Sequence, residues 1–292
     1  MIFSKIGLGT VQFGLDYGIA NQAGQVKGTE VEQIFSEARK SGIDILDTAI
    51  SYGTSEEILG KKGVDGFRLV TKLPVLPEDQ IDIALWVRNQ VRASLNRLRQ
   101  EKLYGLLLHC SRDLLRSNCT RLVRALDDLK NDGIVQKIGV SIYCPHELDD
   151  IHKRIQIDLV QAPLNVVDRR LQFSGWLDRL KDEGIEVHVR SVFLQGLLLM
   201  ERSKIPKKFS RWSSHWDQWQ EKLKVLGVSP LAASLAYPLS LEQVDRVIVG
   251  VDSAAQLSEI LQAVENCNQR PDTSFMQSID LDLINPSNWN HL

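Results

Sequence analysis

IDILDTAISYGTSEEILGKKGVDGFRLVTKLPVLPEDQIDIALWVRNQVRASLNRLRQEKLYGLLLH, residues 43 to 109, decides the architecture. Three short apolar, β-branched runs stand in it: IDILDTA from Ile43, RLVTKL from Arg68 and LYGLLLH from Leu103. Helix-period segments separate them, and in the second, Ile83, Val87, Val91, Leu95 and Leu98 share one face. Alternation of strand and helix is the pattern of βα units around a parallel sheet.

The same alternation extends both ways. IGLGT from Ile6 precedes it; QKIGVSI from Gln136, IDLVQA from Ile157, IEVHVRS from Ile185 and VDRVIVG from Val244 follow, making eight strands. Thr29 with Glu32 and Thr54 with Glu57 match capping boxes, Pro145 and Pro230 suit first helical turns, and Gly133 and Gly184 suit left-handed helix ends. No Gly/Ser-rich or Pro-rich linker interrupts the series. The expectation is an α/β fold, a (β/α)8 TIM barrel forming a single domain over residues 1–292. Residues 192–214 form a long loop after strand seven, a candidate substrate lid, and 267–292 a C-terminal tail. A doubly wound sheet would want GxGxxG after strand one, and GLGTVQFG from Gly7 has the wrong spacing.

Composition narrows the partners. With 43% apolar residues, 25% charged residues and a net charge of −2, the chain has no electrostatic case for nucleic acid or an anionic membrane, so small molecules are the default. Cys110, Cys119, Cys144 and Cys267 form no CxxC pair, which indicates neither a metal site nor a disulfide framework. No run reaches the ~18 apolar residues of a membrane span, and MIFSKIGLGT lacks a signal-peptide plan, so a cytoplasmic location is expected.

Active sites of such barrels lie at the C-terminal ends of the strands, and four chemically complementary residues fall there: Asp47, Tyr52, Lys72 and His109. The Tyr52 phenol is a candidate general acid. The Lys72 ammonium is expected to lower its pKa, Asp47 to hold that ammonium, and His109 to orient a carbonyl oxygen.

GTVQFG after strand one, LDTAISYG with SEEILG behind it, VTKL, LLLH, IGVS, VQAPLN and FLQGLL resemble, in order and spacing, the aldo/keto reductase family. The resemblance implies an NAD(P)-dependent carbonyl reductase or alcohol dehydrogenase with these four residues as its tetrad. It also implies cofactor contacts from Gly9, Thr10, Ser141, Gln161, Asn165, Arg190, Gly250, Asp252, Ser253 and Gln256. Ser253 would cap the last helix, whose free amides suit a phosphate. The chain looks most like a bacterial branch associated with surface-polysaccharide or sugar pathways, which implies a sugar-like substrate.

Departures from the family pattern surround the tetrad: Ile142 for the usual Asn, Leu164 for Tyr, Arg190 for an aromatic at the end of strand seven, and Val249 and Ile260 in the last cofactor motif. Asp252 stands where a cation often meets the 2′-phosphate of NADP, so NAD contends with NADP as cofactor. A non-catalytic nicotinamide-binding sensor is the rival reading, and a phosphate-binding isomerase a third. Phe209, Trp212, Trp216 and Trp219 read as a buried helix face, with Phe209 or Trp212 as the sharper lid reading. Asp168 reads as a solvated loop acid; Arg169, Arg170, Arg190, Lys204, Lys207, Lys208 and Arg211 read as solvated or, alternatively, phosphate-binding.

Overall fold

The computed structural model describes residues 2–265 and 271–292. Eight strands, β1 (Ile6–Gly9), β2 (Ile45–Asp47), β3 (Arg68–Leu73), β4 (Leu103–Leu108), β5 (Val135–Ser141), β6 (Leu159–Pro163), β7 (Glu186–Arg190) and β8 (Arg246–Gly250), pair in sequence order into a closed barrel. All pairs are parallel, and β8 returns to β1 with Gly250 opposite Gly9. Around it run α1 (Gly28–Lys40), α2 (Ser55–Lys62), α3 (Ile83–Leu98), α4 (Cys119–Asn131), α5 (Glu147–Ile151), α6 (Trp176–Asp182), α7 (Ser213–Leu226), α8 (Pro230–Ser240) and α9 (Ala254–Glu265). This is the (β/α)8 barrel expected from the alternation.

A strand's side chains alternate between faces, so residues two apart share one. Ile45, Val70, Leu107, Leu159 and Ile248 pack together as an apolar plug inside the barrel. Two residues further along the same strands stand Asp47, Lys72, His109, Gln161 and Gly250. The polar layer at the barrel mouth is thus the next layer above a dry one, and the sequence period alone puts it there.

Helix ends show where local pattern and tertiary structure part. α3 starts as its sequence suggests: Asp82 accepts from Leu85 N at 3.0 Å, and Ile83, Val87, Val91 and Leu98 are buried. Gly133 and Gly184 take left-handed φ values of 70° and 71°. Neither expected capping box forms. Thr29 lies inside α1, whose N-cap is Lys27, and the Thr54 hydroxyl accepts from Gln25 Nε2 instead of a backbone amide. Pro145 precedes α5 in a turn, whereas Pro230 does open α8, capped by Ser229.

Glu56, 2% exposed, ties the first units together. Its carboxylate accepts from Thr71 Oγ1 (2.7 Å), Ser94 Oγ (2.6 Å) and Arg97 Nε (2.8 Å), joining α2 to β3 and α3 beside Lys72. A buried carboxylate so fully bonded avoids the desolvation cost of an unpaired one.

The loop after β7 is not a free lid at its aromatic end. Phe209, Trp212, Trp216 and Trp219 are buried with Val166, Leu283 and Trp289, and the Phe209 and Trp289 rings meet edge-on at 4.9 Å. Phe209 and Trp212 therefore belong to a second core that also holds the tail, as the packing reading had it. Arg211 pairs with Asp280 and Asp282, and Lys208 Nζ donates to Trp289 O at 2.9 Å. Cys267 and the tail's first residues lie outside the described residues. Among the described residues no single helix is long and apolar enough to cross a membrane.

Candidate active site

A cavity of about 440 Å³ opens at the C-terminal ends of the strands. Gly9, Thr10, Asp47, Tyr52, His109 and Ser141 line it on the β1–β5 side, and Arg190, Gly250, Asp252 and Gln256 on the β7–α9 side. Lys72, Gln161, Asn165 and Ser253 do not reach the cavity surface. Lys72 and Gln161 stand behind Asp47. Asn165 is fully buried; its side chain donates to Ser191 O and accepts from the amides of Val167 and Asp168, which fixes a turn. Both lone pairs of its oxygen are thereby spent, and one of its two amide protons remains uncommitted.

The turn that carries Tyr52 is held from below. Thr10 donates its amide and hydroxyl to Asp47 O, both at 2.9 Å, and Ser55 Oγ donates to Thr10 O at 2.9 Å. Tyr52 N bonds Ala49 O at 3.0 Å, and Ile50 N bonds Lys72 O at 3.2 Å. Gly14 makes this possible by close approach: a Cβ there would lie 1.9 Å from Tyr52 O. Thr10 thus spends its hydroxyl on the scaffold rather than on a ligand.

Lys72 is 1% exposed and donates to Asp47 Oδ1 (2.8 Å), Asp47 Oδ2 (2.7 Å) and Thr48 O (2.8 Å). An ammonium has three protons, so none remains for Tyr52. Its nitrogen sits 5.2 Å from the Tyr52 ring centre, a cation over a π face. Asp47 Oδ1 also accepts from Gln161 Nε2 at 2.7 Å, and Gln161 Oε1 accepts from Ser141 Oγ at 3.4 Å. One chain of bonds therefore runs from β3 through β2 and β6 to β5.

The expected lowering of the phenol is not found. Burial, and then the Asp47 carboxylate, push the Tyr52 pKa above its ordinary value, with Arg190 opposing. Asp47 neutralises the ammonium that was expected to act, so a different cation faces the phenol. Burial likewise pulls the Lys72 ammonium below its usual value against the pull of Asp47. His109 falls to about 4 through burial and the nearby Lys72 and Arg190. At neutral pH the site presents a protonated phenol and an uncharged imidazole. Their rings meet edge-on at 5.8 Å, and Ser51 Oγ lies 3.1 Å from His109 Nδ1, fixing the ring through that nitrogen.

The family model for the aldo/keto reductase family matches residues 5–280. The chain belongs to the aldo/keto reductase family. As such it is an NAD(P)-dependent oxidoreductase acting on carbonyl groups. It is 27% identical over 281 residues to the uncharacterized oxidoreductase YqkF of Bacillus subtilis, covering 89% of this chain and 87% of that protein. It is 24% identical over 322 residues to the NADH-specific methylglyoxal reductase of Escherichia coli, covering 94% of each. Among solved structures, the aldo-keto reductase AKR11C1 of Bacillus halodurans in its holo form superposes with a TM-score of 0.74 at 22% identity, over 93% of this chain and 89% of that one.

The residues expected to meet the cofactor's nucleotide end stand where β8 meets α9. Ser253 Oγ caps α9 by accepting from Gln256 N at 3.2 Å, and Asp252 N donates to Gln256 Oε1 at 2.8 Å. The next amide, Ala254 N, is already taken: Glu30 of α1 accepts from it at 2.7 Å. Two acceptors at this end, Asp252 Oδ1 and Gln12 Oε1, are buried with no hydrogen-bond partner. Burial raises the Asp252 pKa. Orphaned acceptors want donors. Ribose hydroxyls supply them and a phosphate does not, so these residues fit a nicotinamide dinucleotide bound by its sugar hydroxyls.

Several wall residues escaped the sequence reading. Tyr17, Tyr143, Phe193 and Gln195 line the cavity, and the loops after β1 and β7 meet across its mouth through Gln195 Nε2 to Tyr17 Oη (3.3 Å) and Ala20 N to Gln195 O (3.4 Å). Ser191, Leu194 and Gln195 hold φ values of 60°, 46° and 54°, a cost of roughly 1–3 kcal/mol each for non-glycine residues that must be met by surrounding contacts. Asp168 is also not the solvated acid expected. It is 1% exposed and receives two bonds of 2.8 Å from Arg170, while Arg169 donates to Val166 O and Thr273 Oγ1.

Proposed function

We propose that this chain reduces a small, sugar-like aldehyde or ketone with NADH, Tyr52 being the general acid. The observation that carries the reading is a half-buried phenol, held protonated, on the wall of a cavity beside an uncharged His109. His109 and Tyr52 hold the carbonyl oxygen. A nicotinamide dinucleotide held by Asp252 and Gln12 through its sugar hydroxyls would supply the hydride that the carbonyl carbon accepts. As negative charge develops on oxygen, the Tyr52 hydroxyl delivers its proton there, and the Arg190 guanidinium, whose charge opposes the upward push of burial and Asp47 on the phenol, favours the phenolate left behind. Asp47, Gln161 and Ser141 keep Lys72 and that wall in place.

NADH is favoured over NADPH at the α9 end. Asp252 repels a 2′-phosphate and Glu30 occupies the helix amide such a group would seek, while Asp252 Oδ1 suits a free ribose hydroxyl. Tyr17, Asn21 and Gln195 beside Phe193 give the cavity the mixed polar and apolar wall that a hydroxylated carbonyl compound needs. The three described cysteines are free, which suits a reducing cytoplasm. Nothing in the geometry favours a sensor without turnover. Tyr52→Phe tests the mechanism: NADH binding should persist while carbonyl reduction falls by about 10²-fold or more. Undiminished turnover would rule out Tyr52 as the acid.

A further inference from the structure

Charge around the reacting centre does not cancel. Asp47 and Lys72 neutralise one another in a buried pair, and Tyr52 and His109 are uncharged at neutral pH. Arg190, last residue of β7, remains. Its guanidinium lines the same cavity, half-buried, and its field reaches Tyr52, Lys72, His109 and Tyr17.

Arg190 is held rigidly and yet left unpaired. Nη2 donates to Ile142 O at 3.0 Å, Nη1 lies 3.3 Å from Ser191 Oγ, and the guanidinium carbon stacks 4.6 Å over the Tyr143 ring. Among the described residues it forms no ion pair, in contrast to Arg170 of the next loop, which Asp168 neutralises. Of the five N–H donors of a guanidinium, two are used. A fixed, half-buried arginine without a counter-ion and with donors to spare is the arrangement that recognises carboxylate or phosphate oxygens. An internal carboxylate would have been the cheaper way to satisfy it.

We propose that Arg190 selects carbonyl substrates that also bear an anionic group, a carboxylate or a phosphate. The inference rests on the reductase reading above and names the substrate class of the same site. The anion's charge offsets that of the guanidinium beside the tetrad, and its oxygens take the free guanidinium donors while the carbonyl oxygen meets Tyr52 and His109; the cavity's other acids, Asp252 and Glu259, stand at its β8–α9 end. Neutral analogues leave the guanidinium's charge without a counter-ion and forgo its free donors, so they gain less on binding.

Matched pairs test it: glyoxylate against glycolaldehyde, and D-glyceraldehyde 3-phosphate against D-glyceraldehyde, with NADH as reductant. The wild type should prefer the anionic member of at least one pair by about tenfold or more in kcat/KM, and the pair that responds tells carboxylate from phosphate. Arg190→Met should bring that ratio close to one, and Arg190→Lys should keep part of it. Because each ratio is taken within one variant, any general loss of turnover cancels. Calorimetric titration with oxalate and with inorganic phosphate supplies a readout independent of turnover. At least one should bind the wild type about tenfold more tightly than Arg190→Met. An enzyme that fails to turn over but shows this difference contradicts the reductase mechanism and supports Arg190. Wild-type ratios near one in both pairs overturn the proposal. So does an Arg190→Met variant that loses NADH affinity but keeps its anion preference, which would assign the arginine to the cofactor's phosphates.

Discussion

The buried Asp47–Lys72 pair makes a sharp prediction because each partner is bound almost wholly to the other. Lys72 is 1% exposed and Asp47 5% exposed. Lys72→Met removes two of the three bonds that Asp47 receives, leaving a carboxylate with Gln161 alone. Asp47→Asn leaves a buried ammonium with neutral carbonyl acceptors alone, Thr48 O and the single amide oxygen, and no counter-charge. Breaking one side of such a pair costs about 3–5 kcal/mol, because the other charge stays desolvated. At ~2.1 cal/mol/K per residue, unfolding 292 residues carries about 0.6 kcal/mol/K, so each single variant should melt roughly 5–8 °C lower. The double variant buries no charge, and the amide that Asp47→Asn introduces can still accept from Gln161 through its oxygen. It should therefore be more stable than the sum of the single effects implies, by about 1–3 kcal/mol of coupling. Urea denaturation of all four proteins measures the cycle, and reduction rates measured in parallel should be low in all three variants, the double included. Single effects below about 1 kcal/mol, or additivity within ~0.5 kcal/mol, would refute the picture of two mutually dependent buried charges.

The other predictions concern pH and cofactor. His109 titrates at about 4 in the folded protein against 6.5 ordinarily, so above pH 6.5 neither folded nor unfolded chain is charged there. As pH falls below 6.5 only the unfolded chain takes up the proton, and stability declines until pH passes about 4. Between pH 7 and 5 the difference is about 2 kcal/mol, and His109→Asn should lose that much less stability over this interval in urea titrations; equal losses would contradict the assignment. For the cofactor, fluorescence titration should show NADH binding about tenfold or more tighter than NADPH, with the gap narrowed in Asp252→Ser and in Glu30→Gln. Tighter NADPH binding in the wild type would count against both residues.

What could be read from the chain alone follows from how the barrel is built. Every strand carries its own signal, and a closed parallel barrel delivers all strand ends to one mouth, so Asp47, Lys72 and His109 converge whatever their separation in sequence. Residues placed by packing between loops gave no such signal. Glu30 meets Ala254 across 224 residues, and Tyr17 meets Gln195 across 178. The same reason explains the failed capping boxes: Thr54 and Glu57 satisfy a local rule, but Gln25 offers Thr54 a donor from another element. It also explains Asp168, whose acidity suggested solvent but whose neighbour Arg170 encloses it.

Arg190 shows the limit from the other side. Its identity departed visibly from the family pattern, yet a departure has no meaning until its surroundings are known. Tyr143 beneath it, Ile142 O and Ser191 Oγ beside it, and no carboxylate among the described residues to meet it convert an odd residue into a charge with an unfilled requirement. The Asp47–Lys72 pair sharpens this. Had Lys72 been unpaired, the cavity would already hold a free cation and a second would repel it. Because Asp47 cancels Lys72, Arg190 is the positive charge that an incoming substrate meets at the tetrad, and the cation that opposes the rise of the Tyr52 pKa is also the one that selects the molecule the phenol acts on.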